Sequence, residues 1–160
     1  MWWLLLLFVA AVVLGAVLGK RARVWHRYYT FYVAGKYANK AELLTKVRQL
    51  EQHGWRCTYK WMLQPEHGVD EMAEYAQQDL QGVREAEVFI AVLDDPTYAY
   101  RGTFVELGAA LALRKTIVVY KPCKKAECYA NCFLQHPLVF HYEDWDELVE
   151  HVYFSTPLLC

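Results

Sequence analysis

Apolar and polar residues follow one another along the chain in blocks that predict a regular succession of strands and helices. Residues 87–94, EVFIAVLD, are apolar nearly throughout, which is typical of a central parallel strand buried on both faces. Residues 39–54 instead have apolar positions at helical spacing and end at a glycine. The same criteria predict strands at 28–34, 55–61, 87–94, 116–122 and 138–142, and helices at 39–54, 69–86, 101–113 and 144–153.

Strands that alternate with helices predict an α/β domain, an open parallel sheet with helices on both faces. For five strands we expect three layers and the flavodoxin-like order 2-1-3-4-5. In such a sheet, ligands bind at the carboxyl ends of the first and third strands, where the strand order reverses. This crevice would gather Ala34 and Gly35 from one side and the loop 94–102 from the other.

Residues 2–18, WWLLLLFVAAVVLGAVL, form an uninterrupted apolar run. As a helix the run would span about 26 Å, enough to cross a bilayer core. Four basic residues follow it and none precedes it, the reverse of the order in a cleaved signal peptide. We therefore expect a transmembrane helix at 1–19, a basic linker at 20–27, and a cytoplasmic domain at 28–160 anchored to the membrane.

Composition and cysteine usage exclude some functions. The 160 residues carry a formal net charge of −1, which gives no electrostatic indication of nucleic-acid binding, a function that calls for a basic face. An odd number of cysteines and the absence of a glycosylation sequon indicate a reduced domain. Cys123, Cys128, Cys132 and His136 are soft ligands, but their spacings match no common zinc module. We expect ordinary thiols, no metal and no cofactor.

Glu106 is the one charged residue in the apolar stretch 104–113, where a lone ionised carboxylate is costly to bury. Two explanations are open. Thr103 and Glu106 have the spacing of a capping box, in which both residues close the first turn of a helix. A helix N-terminus also favours an ionised carboxylate, which is the form that attacks a sugar carbon. One residue can have both roles.

Other candidate residues have an ordinary and a functional interpretation. Asp79 borders the apolar face of its helix, where a solvated surface aspartate is the default. Asp94 ends the third strand, and it fits both turn chemistry and binding of a substrate hydroxyl. Packing accounts for Trp61, Tyr98 and Tyr100, but the two tyrosines lie in a loop and also suit stacking on a base.

Three blocks, FYVAG at 31–35, DLQGVREAEVFIAVLDD at 79–95 and YRGTFVELGAALALRK at 100–115, occur in this order. Together they resemble the nucleoside 2-deoxyribosyltransferase family, which includes nucleotide N-glycosidases. The resemblance covers about residues 28–121. It implies an enzyme that cleaves the N-glycosidic bond of a 2′-deoxynucleoside or its 5′-monophosphate, a small-molecule substrate, and transfers the sugar to another base or to water.

The resemblance also implies roles for single residues. Glu106 matches the nucleophile that forms a covalent glycosyl-enzyme, and Asp79 matches the aspartate that contacts the base and helps protonate it. Gly102 and Thr103 match the segment that lets the backbone approach the sugar or phosphate. This chemistry resembles retaining glycoside hydrolysis.

Further matches concern the pocket walls. Tyr32, Ala34 and Gly35 match the first-strand motif that lines the pocket. Asn131 matches an active-site asparagine lent by a neighbouring subunit, so a homo-oligomer is compatible with the family. Residues 36–37, Lys-Tyr, depart from the small residues or proline of many relatives, which leaves phosphate handling open.

Two alternatives from other classes remain. The same scaffold can serve as a non-catalytic nucleotide-binding or signalling module, because a fold does not fix a function. A membrane-tethered interaction domain is the third hypothesis. A pure binding module has little use for both Glu106 and Asp79.

Overall fold

The computed structural model describes residues 29–65, 68, 71–123 and 131–154. In these residues the strands and α-helices follow one another in the predicted order. The elements are β1 (Thr30–Ala34), α1 (Lys40–Gln52), β2 (Arg56–Cys57), α2 (Met72–Glu85), β3 (Val88–Val92), α3 (Arg101–Ala112), β4 (Thr116–Tyr120), β5 (Val139–Tyr142) and α4 (Trp145–Phe154). Short 3-10 turns occupy Tyr37–Asn39, Trp61–Leu63 and Cys132–Gln135.

The strands form one parallel sheet in the order β2-β1-β3-β4-β5, which confirms the predicted order. All five residues of β3 are buried, as expected of a strand covered by helices on both faces. β1 and β3 are neighbours, with Tyr32 beside Phe89 and Ala34 beside Ala91. The topological switch point therefore lies between these two strands.

Alternation of side chains along β1 divides the core in two. Phe31 packs in a buried cluster with residues of α1 and α4. Tyr32 points to the opposite face, in a cluster with Val83 of α2 and Leu107 of α3, because successive strand residues face opposite sides of a sheet. The helices α2 and α3 also contact each other. Tyr32 thus lies beneath the pair of helices that contain the two candidate carboxylates.

The second strand is shorter than predicted. It ends at Cys57 instead of continuing to residue 61, and the chain then enters the 3-10 turn that begins at Trp61. The indole N–H of Trp61 donates a hydrogen bond of 2.7 Å to the backbone carbonyl of Val33. The aromatic residue that alternation assigned to β2 therefore caps the carboxyl end of β1.

The predicted fold class included a transmembrane helix, and that part of the prediction is wrong. Among the residues that the structure describes, no helix is long and apolar enough to cross a membrane. The longest of these helices, α2, has 14 residues and spans about 21 Å, short of a hydrocarbon core of about 30 Å. The membrane-anchored localisation is overturned with it. Residues 1–19 and 20–27, on which the anchor and linker predictions fall, lie outside the described residues.

Candidate active site at the carboxyl edge of the sheet

A pocket opens at the switch point, where the loops after β1, β2 and β3 meet the N-terminal half of α3. This is the predicted crevice. Its lining residues are Gly35, Tyr37, Trp61, Asp79, Tyr98, Tyr100, Arg101, Gly102, Thr103 and Glu106.

Two carboxylates of the pocket meet on one buried hydroxyl. The phenol oxygen of Tyr32 lies 2.6 Å from Oε1 of Glu106 and 2.9 Å from Oδ1 of Asp79. Tyr32 is fully buried, whereas both carboxylates line the pocket. The three side chains come from β1, α2 and α3, so the fold alone assembles them.

Burial and charge control the protonation of this group. The pKa of Glu106 is raised to about 8, mainly because burial disfavours the charged form. The Tyr32 hydrogen bond opposes this rise, and the nearby charge of Asp79 adds to it. The pKa of Tyr32 is also raised, first by burial and then by the two carboxylates. In the free pocket at neutral pH, Glu106 therefore holds a proton for most of the time.

The capping-box explanation of Glu106 is wrong. The helix α3 begins at Arg101, so Thr103 is already its third residue and Tyr100 flanks it. The hydroxyl of Thr103 lies 3.5 Å from the carbonyl oxygen of Gly35, across the pocket. Glu106 lies in the second turn and contacts Tyr32 instead of closing the first turn.

Asp94 supports the loop after β3 and is absent from the pocket lining. Its Oδ1 accepts a hydrogen bond of 2.8 Å from the Tyr100 hydroxyl, and its Oδ2 accepts one of 3.0 Å from Asn39. The Tyr100 hydroxyl in turn accepts a hydrogen bond of 2.7 Å from the backbone N–H of Asp95. Tyr100 has φ of +46°, a left-handed conformation that is unfavourable for a bulky residue. These bonds hold the strained residue in place directly before α3.

Lys36, the residue after Gly35, forms an ion pair with Asp95. Their ion pair spans 2.7 Å, and Asp95 also accepts two hydrogen bonds from Thr97. These contacts, the Lys36 bond first, hold the pKa of Asp95 well below its usual range and raise the pKa of Lys36. The Lys36 ammonium also lies 5.2 Å from the centre of the Tyr98 ring.

Aromatic side chains form much of the pocket wall. Tyr37 stacks on Trp61, with ring centres 6.2 Å apart and planes 14° apart. Tyr98 meets Tyr100 edge-on at 4.9 Å. One pair comes from the loops after β1 and β2 and the other from the loop after β3. Such rings offer flat apolar surface to a planar ligand.

The sequence between residues 31 and 146 matches the family model of nucleoside 2-deoxyribosyltransferase. The chain belongs to the nucleoside 2-deoxyribosyltransferase family. The match covers every block on which the resemblance was based, and it confirms that prediction. Comparison with curated proteins gives no match.

Several solved structures have a fold similar to that of this chain. A 2-deoxyribosyltransferase from Bacillus psychrosaccharolyticus is 20% identical, with a TM-score of 0.58 over 75% of this chain and 90% of that chain. The CMP N-glycosidase BcmB from Clostridium botulinum is 19% identical, with a TM-score of 0.52 over 77% and 96%. BlsM is 22% identical, with a TM-score of 0.55 over 79% and 88%. At these identities the likeness shows a shared fold.

Most of the residues that the family resemblance singled out line the pocket: Gly35, Asp79, Gly102, Thr103 and Glu106, with Tyr98 added from the loop pattern. Ala34 is fully buried within β1. Asn131 is not part of the lining. Its side-chain oxygen accepts a hydrogen bond of 2.9 Å from the backbone N–H of Phe133. The sequence patterns did not indicate Tyr37, Trp61 or Arg101 as pocket residues. For Tyr37 and Arg101 the available signal was position, just after β1 and just before Gly102.

The three cysteines that the structure describes, Cys57, Cys123 and Cys132, are not part of the pocket lining. Burial raises the pKa of Cys57 to about 12, which makes it a poor nucleophile. Cys123 is half-buried and Cys132 is exposed. Within the described ranges no group of three or more His, Cys, Asp and Glu side chains could hold a metal. Cys128, the central member of the cysteine cluster, lies outside them, so the expectation of ordinary thiols remains a prediction.

Proposed function

We propose that this chain cleaves the N-glycosidic bond of a 2′-deoxynucleoside 5′-monophosphate or of the nucleoside itself, with transfer of the sugar to another base or to water. The observation that carries the proposal is the convergence of Glu106 and Asp79 on Tyr32 in a pocket at the switch point. Membership of the nucleoside 2-deoxyribosyltransferase family supports the same activity.

The proposed reaction uses the two carboxyl groups in different roles. Ionised Glu106 attacks the anomeric carbon, the carbon–nitrogen bond breaks, and Asp79 supplies a proton to the departing base. The product is a glycosyl ester on Glu106. A second base or water then attacks this ester, gives a proton to Asp79 and releases Glu106. The scheme is that of a retaining glycosidase, with one nucleophile and one acid.

The aromatic wall supports a nucleobase as the leaving group. A purine or pyrimidine ring presents a flat π-face, and stacking on an aromatic side chain is worth about 1–3 kcal/mol per base. Tyr37, Trp61 and Tyr98 all line the pocket that contains the carboxylates. We assign the base to this wall and the sugar to the space between Gly35 and Glu106.

Arg101 and the first turn of α3 support the 5′-monophosphate as the preferred form. Arg101 lines the pocket and makes no ion pair with any residue in the described part of the chain. The adjacent N–H groups of Gly102 and Thr103 belong to a helix N-terminus, which favours anions. Lys36, which follows the lining residue Gly35 in the chain, forms an ion pair with Asp95.

The alternative, a non-catalytic binding module, is disfavoured by the energetics of the pocket. A binding module gains nothing from holding a carboxyl group with a raised pKa beside a second acidic group, and such an arrangement costs stability. Enzyme sites are where perturbed carboxyl groups of this kind cluster.

The test is an activity assay on a panel of deoxynucleosides and their 5′-monophosphates, with and without a free acceptor base. We expect release of the base by the native chain and a loss of about 10⁴-fold or more in Glu106→Gln. Glu150→Gln, an exposed glutamate on α4, is the matched control and keeps full activity. Absence of cleavage across the panel by a folded native chain contradicts the proposal, as does normal cleavage by Glu106→Gln.

A further inference from the structure

We propose that Tyr32 is a proton conduit that moves the proton of Glu106 to Asp79 as the base departs. Tyr32 would act through the two carboxyl groups and would not touch the substrate. This inference rests on the proposed function, because it assigns to Tyr32 a task within that reaction. It addresses a problem that the reaction poses: the nucleophile must be ionised and the acid protonated.

The geometry defines the number of protons in the group. The phenol oxygen of Tyr32 lies within hydrogen-bond distance of both carboxyl groups, at 2.6 Å from Glu106 and 2.9 Å from Asp79. A phenol has one proton and can donate only one hydrogen bond. If both carboxyl groups were ionised, the phenol could donate its proton to only one of them. The other carboxylate oxygen would then face the lone pairs of the phenol oxygen and be repelled. The arrangement is satisfied when the three side chains share two protons, one of them on a carboxyl group.

Burial identifies Glu106 as the holder of the second proton before substrate binds, since desolvation raises its pKa to about 8. Asp79, also in the lining of the pocket, then holds the negative charge and accepts the Tyr32 proton. This resting state is the reverse of what the chemistry needs. Glu106 is neutral and Asp79 has no proton for the base.

The conduit converts the resting state into the reactive state without exchange with water. The O–H bond of Glu106 breaks and a new O–H bond forms on the Tyr32 oxygen. The original O–H bond of Tyr32 breaks in the same event and a new one forms on Asp79. Tyr32 is neutral before and after, Glu106 gains the charge that Asp79 loses, and Asp79 then gives its proton to the base nitrogen. Because the pKa of Tyr32 is itself raised, a neutral phenol is favoured throughout.

The surroundings of Tyr32 fix its ring for this task. The ring is fully buried and stacks on Phe89 of β3, with centres 6.0 Å apart and planes 15° apart. On the α2 side, Gly82 lies so close that an added Cβ would be 2.9 Å from the ring. Of the other titratable groups nearby, Tyr59 faces Asp79 and Arg101 lines the pocket. Neither is bonded to the Tyr32 hydroxyl.

The kinetic test compares native protein with Tyr32→Phe, which keeps the ring and removes the hydroxyl. Single-turnover base release is measured in mixtures of H₂O and D₂O. We expect a curved dependence on the deuterium fraction in the native chain, because several protons move together. In Tyr32→Phe we expect a loss of about 10²-fold and a straight line. Tyr59→Phe, which loses a hydroxyl bonded to Gln78, is the control with native behaviour. Equal curvature in native protein and Tyr32→Phe would overturn the conduit.

An equilibrium test does not depend on activity or on the stability of the variant. The side-chain carboxyl carbons are labelled with ¹³C and titrated in the native chain. Shared protons make coupled groups titrate as a pair, so both the Glu106 and the Asp79 signals should move in the step near pH 8. Movement of the Glu106 signal alone in this step rejects the conduit. If Glu106→Gln were to keep full activity, the proposed function itself would fail, so the two failures are distinct.

Discussion

Glu106 of α3 and Tyr32 of β1 are 74 positions apart in the chain, and their side-chain oxygens are 2.6 Å apart. The contact joins an apolar helix to a fully buried strand residue. It also explains the presence of a carboxyl group in that helix. Glu106 has a specific partner in the core, and its raised pKa makes its charge available only at a cost in stability.

This cost predicts a pH dependence of stability. The pKa of Glu106 rises from 4.5 to about 8 on folding, so the folded state binds the proton more tightly than the unfolded state. The free energy of unfolding should therefore fall as pH rises from about 5 to about 8, by a few kcal/mol at most. Denaturant titrations of native protein and Glu106→Gln at pH 5 to 9 test this. The difference should be small at pH 5 and should favour the variant at pH 9, and a difference that does not change with pH argues against the burial of Glu106.

Substitution of Asp79 should depend on the leaving group. Asp79→Asn keeps the size of the side chain but cannot donate an acidic proton. For ordinary deoxynucleotides we expect kcat/KM to fall by about 10²–10⁴-fold. For the nucleotide of 7-methyldeoxyguanosine we expect a much smaller fall, because its cationic base leaves without protonation. The measurement is kcat/KM for both substrates. Equal losses would indicate that Asp79 only binds or supports the pocket.

Substitution of Arg101 should impair the reaction of the nucleotide and leave that of the nucleoside unchanged. In Arg101→Met, KM for the 5′-monophosphate should rise about 10- to 100-fold, as expected for loss of a hydrogen bond to a charged group, while kcat/KM for the nucleoside stays unchanged. Arg48→Met, on the exposed face of α1, is the control. Equal effects on nucleoside and monophosphate would exclude a phosphate-binding role.

Gly82 should control the position of Tyr32. A Cβ at Gly82 would lie 2.8 Å from Tyr59 Cβ and 2.9 Å from the Tyr32 ring, so Gly82→Ala should destabilise the protein by about 1–3 kcal/mol through overpacking and lower activity. Gly108→Ala is the matched control in α3, because no described atom outside its chain neighbours and the backbone of its own helix lies within 4 Å of its added Cβ. That variant should be neutral or more stable by up to about 1 kcal/mol. Similar melting temperatures for both variants would contradict the close approach of α2 to β1.

The sequence predicted the sheet well because its signals are local. Buried parallel strands such as β3 are apolar throughout, alternation with helices indicates a parallel sheet, and 2-1-3-4-5 is a common order for such a sheet. The predicted range 101–113 agrees with the observed start of α3 at Arg101, whereas the capping-box explanation placed the N-cap at Thr103. A tyrosine with positive φ ends the preceding loop at Tyr100, and residue propensities give no indication of this conformation.

The site was predicted in part. Family resemblance identified Glu106 and Asp79, and the strand order brought Gly35 and Gly102 to the same edge. The side-chain network could not be predicted, because it depends on which loops touch. Asp94 looked like a pocket residue, yet both of its oxygens are engaged by Tyr100 and Asn39. Similarly, no pattern along the chain indicates that Tyr32 lies between the two carboxyl groups.

In the proposed reaction, Glu106 becomes covalently bonded to the sugar. The most direct measurement is incubation with a 2-fluoro-2-deoxyribosyl nucleotide, which slows release of the glycosyl-enzyme, followed by mass analysis of the peptides. We predict one added 2-fluoro-2-deoxyribose 5-phosphate group on the peptide containing Glu106, with fragment ions that locate it on this residue, and no adduct in Glu106→Gln. Base release from the analogue without any adduct, or an adduct on another residue, would contradict the account.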